Sequence, residues 1–166
     1  MELTDPQDIY AYHLGSVWGR LLSLEALLRI AISKGAFRAP AGVHQGDEVE
    51  ADALNQWGSL SDLIQKYNGM VATSHSEFTL VNGNDIVQLR NALAHGMAGR
   101  IGQEGDAEPG PMRLVKFGRL NTATKKVSVE FAADMTTEWL ARQRALVQVA
   151  IQTAASYVTT TWVRRE

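Results

Sequence analysis

Residues 89–96 read LRNALAHG, and three of their side chains have types that do chemistry together. Arg90 supplies a permanent cation whose planar fork of donors matches a phosphate. Asn91, next to it, can both donate and accept hydrogen bonds. His95 brings an imidazole, the side-chain type that most readily takes or gives a proton near neutral pH. A cation to hold a phosphate, a carboxamide to orient it and a proton carrier are parts that work on a phosphodiester. The same stretch also obeys a purely structural rule. A histidine in the last turn of a helix is favoured by the macrodipole, and Gly96 after it is an ordinary helix stop.

These residues need a helix to position them. Asn84 is the expected N-cap of a third helix that ends at Gly96 or shortly after. On a wheel of that helix, Ile86, Leu89, Leu93 and Met97 fall within about 80° and form the expected buried stripe. Asn91 and His95 are four residues apart and share the opposite, polar face. Arg90 lies about 140° from His95, at the edge of the apolar stripe. Its stem can lie along apolar surface while its head reaches out.

LRNALAHG resembles the signature of the HEPN superfamily, the higher eukaryotes and prokaryotes nucleotide-binding domains. That signature is an arginine, a polar residue (often Asn, Asp or His), a short spacer and a histidine, and Arg90, Asn91 and His95 match it in order. At the level of helix order the resemblance covers most of the chain; at the level of residues it rests on 89–96. It implies a mostly α fold, a four-helix-type bundle with the motif beside a long first helix. It also implies a metal-independent endoribonuclease that works as a homodimer, as a toxin or antiviral defence effector, with an antidote or other partner protein. Such an enzyme uses the RNA 2′-OH as nucleophile, His95 as acid or base, Arg90 on the phosphate and Asn91 as an orienting group. Two other readings stay open: a non-catalytic dimeric binding or scaffold module, and a nucleotide-binding partner of a nucleotidyltransferase. Products with 2′,3′-cyclic phosphate ends belong to the first reading, nucleotide binding without cleavage to the last.

The remaining elements follow from pattern. Asp5 as N-cap, Pro6 and Asp8 open a first helix, which Lys34 and Gly35 close. Ile9, Leu14, Val17, Trp18, Leu21, Leu24, Leu28 and Ala31 mark its stripe, and Leu22 and Leu27 broaden it. Residues 35–52 read as a loop. A second helix is expected within 53–68, with Leu54, Trp57, Leu60, Leu63, Ile64 and Tyr67 inward, a split at Gly58–Ser59 and an end at Asn68–Gly69. Residues 70–84 read as a loop, and 98–111 as a Gly-rich polar one. RLVKFGR and KKVSVEF then read as a β-hairpin inserted at about 112–132, with Val127, Val129 and Phe131 on one face. Asp134 is the expected cap of a last helix over 136–163. Its apolar set is Trp139, Leu140, Leu146, Val147, Ala150, Ile151, Ala154, Tyr157, Val158 and Trp162.

Composition sets the outer limits. The 166 residues suit a single domain, 45% are hydrophobic and 20% charged, and the net charge is −2. A weakly acidic chain lacks the broad electrostatic grip of a polyanion binder, though not a local basic site. Arg100, Arg113, Lys116 and Arg119, with Lys125 and Lys126, put such positive charge on and near the hairpin, where it would contact an RNA backbone. There is no cysteine, hence no disulfide, thiolate zinc site or cysteine nucleophile. His13, His44 and His75 are scattered without metal-ligand spacing, so no metal or cofactor is expected, and Asp47, Glu48 and Glu50 read as solvated loop. No signal-peptide pattern or membrane-spanning run appears, which makes a cytoplasmic protein the expectation.

Overall fold

The computed structural model describes residues 6–33, 45, 58–100 and 112–163. The expected cap at Asp5, stop at Lys34–Gly35, loop over 35–52 apart from residue 45, inward Leu54 and Trp57, His44 and the acids at 47–50 lie outside the described residues. So do the Gly-rich residues 101–111 and the side chain of Trp162. The described chain is mostly helical, with four helices and a three-stranded antiparallel sheet. In order these are α1 (Pro6–Ile32), α2 (Leu60–Val71), a 3-10 turn (Ser76–Phe78), α3 (Gly83–His95), β1 (Met97–Arg100), β2 (Met112–Asn121), β3 (Lys126–Asp134) and α4 (Thr137–Val163). No helix among the described residues is long and apolar enough to cross a membrane. The chain divides into two compact units. One takes α1 as far as Gly19, α3 from Asn84, the sheet, and α4 as far as Leu146. The other takes the rest of α1, α2, the segment up to Gly83, and α4 from Val147.

In the second unit α1 buries Leu21, Leu24, Leu28 and Ala31 at helical spacing, while Leu22 is 53% exposed and does not extend the buried face. Arg20 Nε donates to Gln148 Oε1 at 3.0 Å, tying α1 to α4. Helix α2 starts at Leu60 because Ser59 caps it. The Ser59 hydroxyl accepts from the Asp62 amide, and the Asp62 carboxylate accepts from the Ser59 amide at 2.9 Å, a reciprocal capping box. Hydrogen bonds from the Ser59 hydroxyl and then its amide hold the Asp62 carboxyl below the usual carboxylate range. The folded pKa is thus lower than the unfolded one. The bond's contribution is present above about pH 4 and is lost as pH falls through the folded value. Acid titration followed by circular dichroism should therefore show a shallower loss of stability in Ser59→Ala than in the native chain.

Helix α2 does not end at Asn68–Gly69 but runs to Val71. Asn68 serves a different purpose. Its Nδ2 donates to the Leu80 carbonyl at 3.2 Å and its Oδ1 accepts from the Leu80 amide at 2.9 Å, clamping the chain that follows the helix. The Tyr67 hydroxyl donates to the Phe78 carbonyl at 3.2 Å, and burial pushes that phenol's pKa up. The Tyr157 ring meets Tyr67, His75 and Phe78 edge-on, with centroids 5.6–5.9 Å apart. The segment expected as plain loop is thus pinned from both sides. Asn68→Ala, which removes two hydrogen bonds to one residue, should lower unfolding stability by about 2 kcal/mol in urea titrations.

In the first unit the sheet order is β1-β2-β3, all antiparallel. The expected hairpin is present, and β1 adds a strand where helix end and loop are expected from the sequence. Its register runs from Met97↔Val115 to Arg100↔Met112. Met97 is consequently 68% exposed on the strand and takes no part in the stripe of α3, whose buried apolar side chains are Ile86, Leu89 and Ala92. Asn84 lies inside the first turn of α3, which begins one residue earlier, and so is not its cap. The hairpin turn is set by Asn121, whose Oδ1 accepts from the amides of Ala123 and Thr124, and by Lys125 at φ 52°. Ala92, Leu114 and Met135 form a buried cluster, with Leu93, Phe131 and Trp139 packed on it. Asp134 ends β3 and pairs with Arg113 at 2.7 Å; Thr136 caps α4 instead, its hydroxyl accepting from the Trp139 amide at 3.1 Å. Helix α4 buries Leu140 in this unit and Val147, Ala150, Ala154 and Val158 in the other.

Candidate functional site

Arg90, Asn91 and His95 all sit in the last two turns of α3, a regular helix that closes at His95. Arg90 and Asn91 are half-buried and His95 is exposed. The end of the helix is fixed by Gly96. Its amide donates to the Ala92 carbonyl at 2.7 Å. A Cβ on Gly96 would lie 2.3 Å from that carbonyl oxygen, 2.9 Å from Leu114 Cδ1 and 3.1 Å from the Val115 carbonyl oxygen. Gly96 is therefore more than a helix stop: it lets the end of α3 lie directly on β2.

Asn91 opens on a polar cleft of about 250 Å³ lined by Gln88, Asn91, Lys116, Glu130 and Phe131. Gln88, Asn91 and His95 fall within about 60° on the helix wheel, so the cleft lies on the face that carries the imidazole. The carboxamides of Gln88 and Asn91 have no side-chain partner among the described residues. Lys116 Nζ and Glu130 Oε2 form an ion pair. A break in strand register brings Glu130 there. Lys116 pairs with Phe131 and Phe117 with Val129, which leaves Glu130 as the extra residue of a bulge. The same bulge separates Phe131, half-buried against the Trp139 ring, from Val127 and Val129, which are exposed. Gly118 makes room for this arrangement, since a Cβ there would lie 2.5 Å from Ser128 Oγ and 2.7 Å from Glu130 Oε1.

The structure thus brings two of the expected residues, Asn91 and Lys116, into one cleft. Neither Arg90 nor His95 is among the residues that line it. Arg113 and Lys116, expected to be open to a phosphate backbone, are each already paired with a carboxylate. Arg100 and Arg119 are exposed on β1 and β2. Gln88 and Glu130 were not singled out from the sequence, and Phe131 was expected only on a strand face with Val127 and Val129. Gln88 has a signal there, since it shares the wheel face of Asn91 and His95; the bulge that delivers Glu130 has none. On the other side of α3 an apolar groove of about 500 Å³ is lined by Tyr10, Leu14, Trp18, Leu93, Met112 and other apolar residues. No group of three or more histidines and carboxylates is placed to hold a metal ion among the described residues. His13 is half-buried with Nδ1 unpartnered there, and His75 packs in the aromatic cluster of Tyr157.

Comparison with known proteins finds no matching family model, no matching curated protein and no matching solved structure.

Proposed function

We propose that this chain is a metal-independent endoribonuclease of the HEPN type, acting in the cytoplasm as a homodimer, in the role of a toxin or antiviral effector. The observation that carries the reading is the placement of Arg90, Asn91 and an exposed His95 at one helix end, beside a cleft that holds a lysine. In the reaction the RNA 2′-oxygen attacks the adjacent phosphorus and the bond from phosphorus to the 5′-oxygen breaks. One imidazole takes the 2′ proton, and a second protonates the leaving 5′-oxygen. Arg90 offsets the charge that builds on the phosphate. One chain supplies one such histidine, and a two-fold partner with its own His95 across a cleft supplies the other. The test is RNA cleavage in the presence of a chelator, with light scattering to fix the mass. The expected result is a dimer that yields 2′,3′-cyclic phosphate and 5′-hydroxyl ends.

A second reading, a nucleotide-binding module that does not cut, draws on one observation: the cleft takes in Asn91 and Lys116 but not His95. Nucleotide binding with no cleavage of any RNA would favour it.

A further inference from the structure

We propose that the cleft between α3 and the β3 bulge is a recognition subsite for one unpaired nucleobase that carries an exocyclic amino group. The inference rests on the reading of this chain as a protein that handles RNA, and adds which base it prefers. Each lining group has a matching partner on such a ligand. Glu130 keeps Oε2 on Lys116 and offers Oε1 as an acceptor with no N–H beside it, so it favours an amino group over a carbonyl at the same ring position. Gln88 and Asn91 present unpartnered carboxamides, which can donate and accept along the rest of the base edge. Phe131 offers a ring held by its edge-on contact with Trp139, centroids 6.4 Å apart, and a fixed aromatic ring is a stacking platform for an unpaired base. Lys116 holds Glu130 with one of three ammonium hydrogens, and the others remain for the phosphate of the same nucleotide.

Size and backbone agree with this chemistry. At about 250 Å³ the cleft is smaller than the roughly 300–1,000 Å³ of pockets for drug-sized ligands, which suits one mononucleotide and not a longer segment. The bulge that presents Glu130 is a device that re-aims a side chain out of the regular pleat. Without it Glu130 would be one more residue of an alternating strand.

Cytidine and uridine 5′-monophosphate test the inference, because their bases differ at the amino position and at the ring nitrogen beside it. Binding of each to the full chain is measured by calorimetry. Cytidine monophosphate should bind about tenfold tighter. Glu130→Gln, an exposed substitution that leaves the fold alone, should erase that preference, while Glu77→Gln, which removes an exposed carboxylate far along the chain in the other unit, should keep it. Phe131→Ala should weaken both nucleotides about tenfold. Equal binding of the two nucleotides, or an undiminished preference in Glu130→Gln, would overturn the inference. Cleavage without base preference removes the subsite and leaves the ribonuclease; preference without cleavage does the reverse.

Discussion

His95→Ala should remain folded and lose RNA cleavage by about three orders of magnitude, within the range that a positioned acid or base contributes. The side chain is exposed at the helix end. An exposed substitution of this kind should change unfolding stability by no more than about 0.5 kcal/mol. A large fall in rate with an unchanged unfolding curve would therefore separate chemistry from stability. Arg90→Ala should also reduce the rate, by about 10²–10³-fold, through lost stabilisation of charge on the phosphate. Arg90→Lys should restore little of it, because an ammonium cannot reproduce the planar fork. Mixing the native chain with an excess of His95→Ala adds a direct test of the dimer. If both chains supply an imidazole to a shared cleft, subunit exchange leaves mixed dimers with one His95, and the native activity falls. Variants that cut as fast as the native chain would make LRNALAHG a structural helix end and leave the binding-module reading in its place.

Gly96→Ala should be the most damaging single methyl that can be added near this site, at about 3 kcal/mol of unfolding stability. The added carbon meets a backbone carbonyl at 2.3 Å, and a backbone atom cannot rotate away as a side chain can. Relief requires either breaking the Gly96–Ala92 hydrogen bond or lifting the end of α3 off Leu114 and β2. Gly99→Ala, three residues further on and inside β1, is the matched control: nothing among the described residues lies within 4 Å of its Cβ position, and the change should fall within about 0.5 kcal/mol. Urea unfolding of the two variants side by side gives the comparison. Equal midpoints would mean that the close approach of helix and strand is wrong.

The long helices were legible in the sequence because apolar spacing is a strong signal over many turns. Leu24, Leu28 and Ala31 on α1 and Val147, Ala150, Ala154 and Val158 on α4 are buried as their spacing predicts. The caps were less legible. Asp134, Thr136 and Thr137 are all credible capping residues within four positions, and the pairing of β3 as far as Asp134 and the Thr136 hydroxyl bond decide among them. Strand β1 was hidden for a different reason. Four residues, two of them Gly and Ala, show no period, and a strand that short exists only through its pairing with β2. At the candidate site, the shared wheel face of Asn91 and His95 needed nothing beyond the helix period. The Lys116–Glu130 pair needed the register of two strands and a bulge within it. Local pattern carries no information on that, because strand register is settled by contacts distant in sequence.

One residue separates the last turn of α3 from the first pairing of β1. The junction is therefore sensitive to chain length as well as to residue type. One added residue would change the phase of α3 against the sheet by about 100° if the helix absorbed it, carrying Gln88, Asn91 and the imidazole together away from Lys116 and Glu130. If the strand absorbed it, every side chain of β1 would change to the other side of the sheet. Deleting Gly96 poses the same choice in reverse. The tip of the hairpin at 122–125 is exposed throughout and bears no such constraint. Of these two connections, the tip is the one that can carry an inserted tag or reporter while leaving the helix end in phase with the sheet.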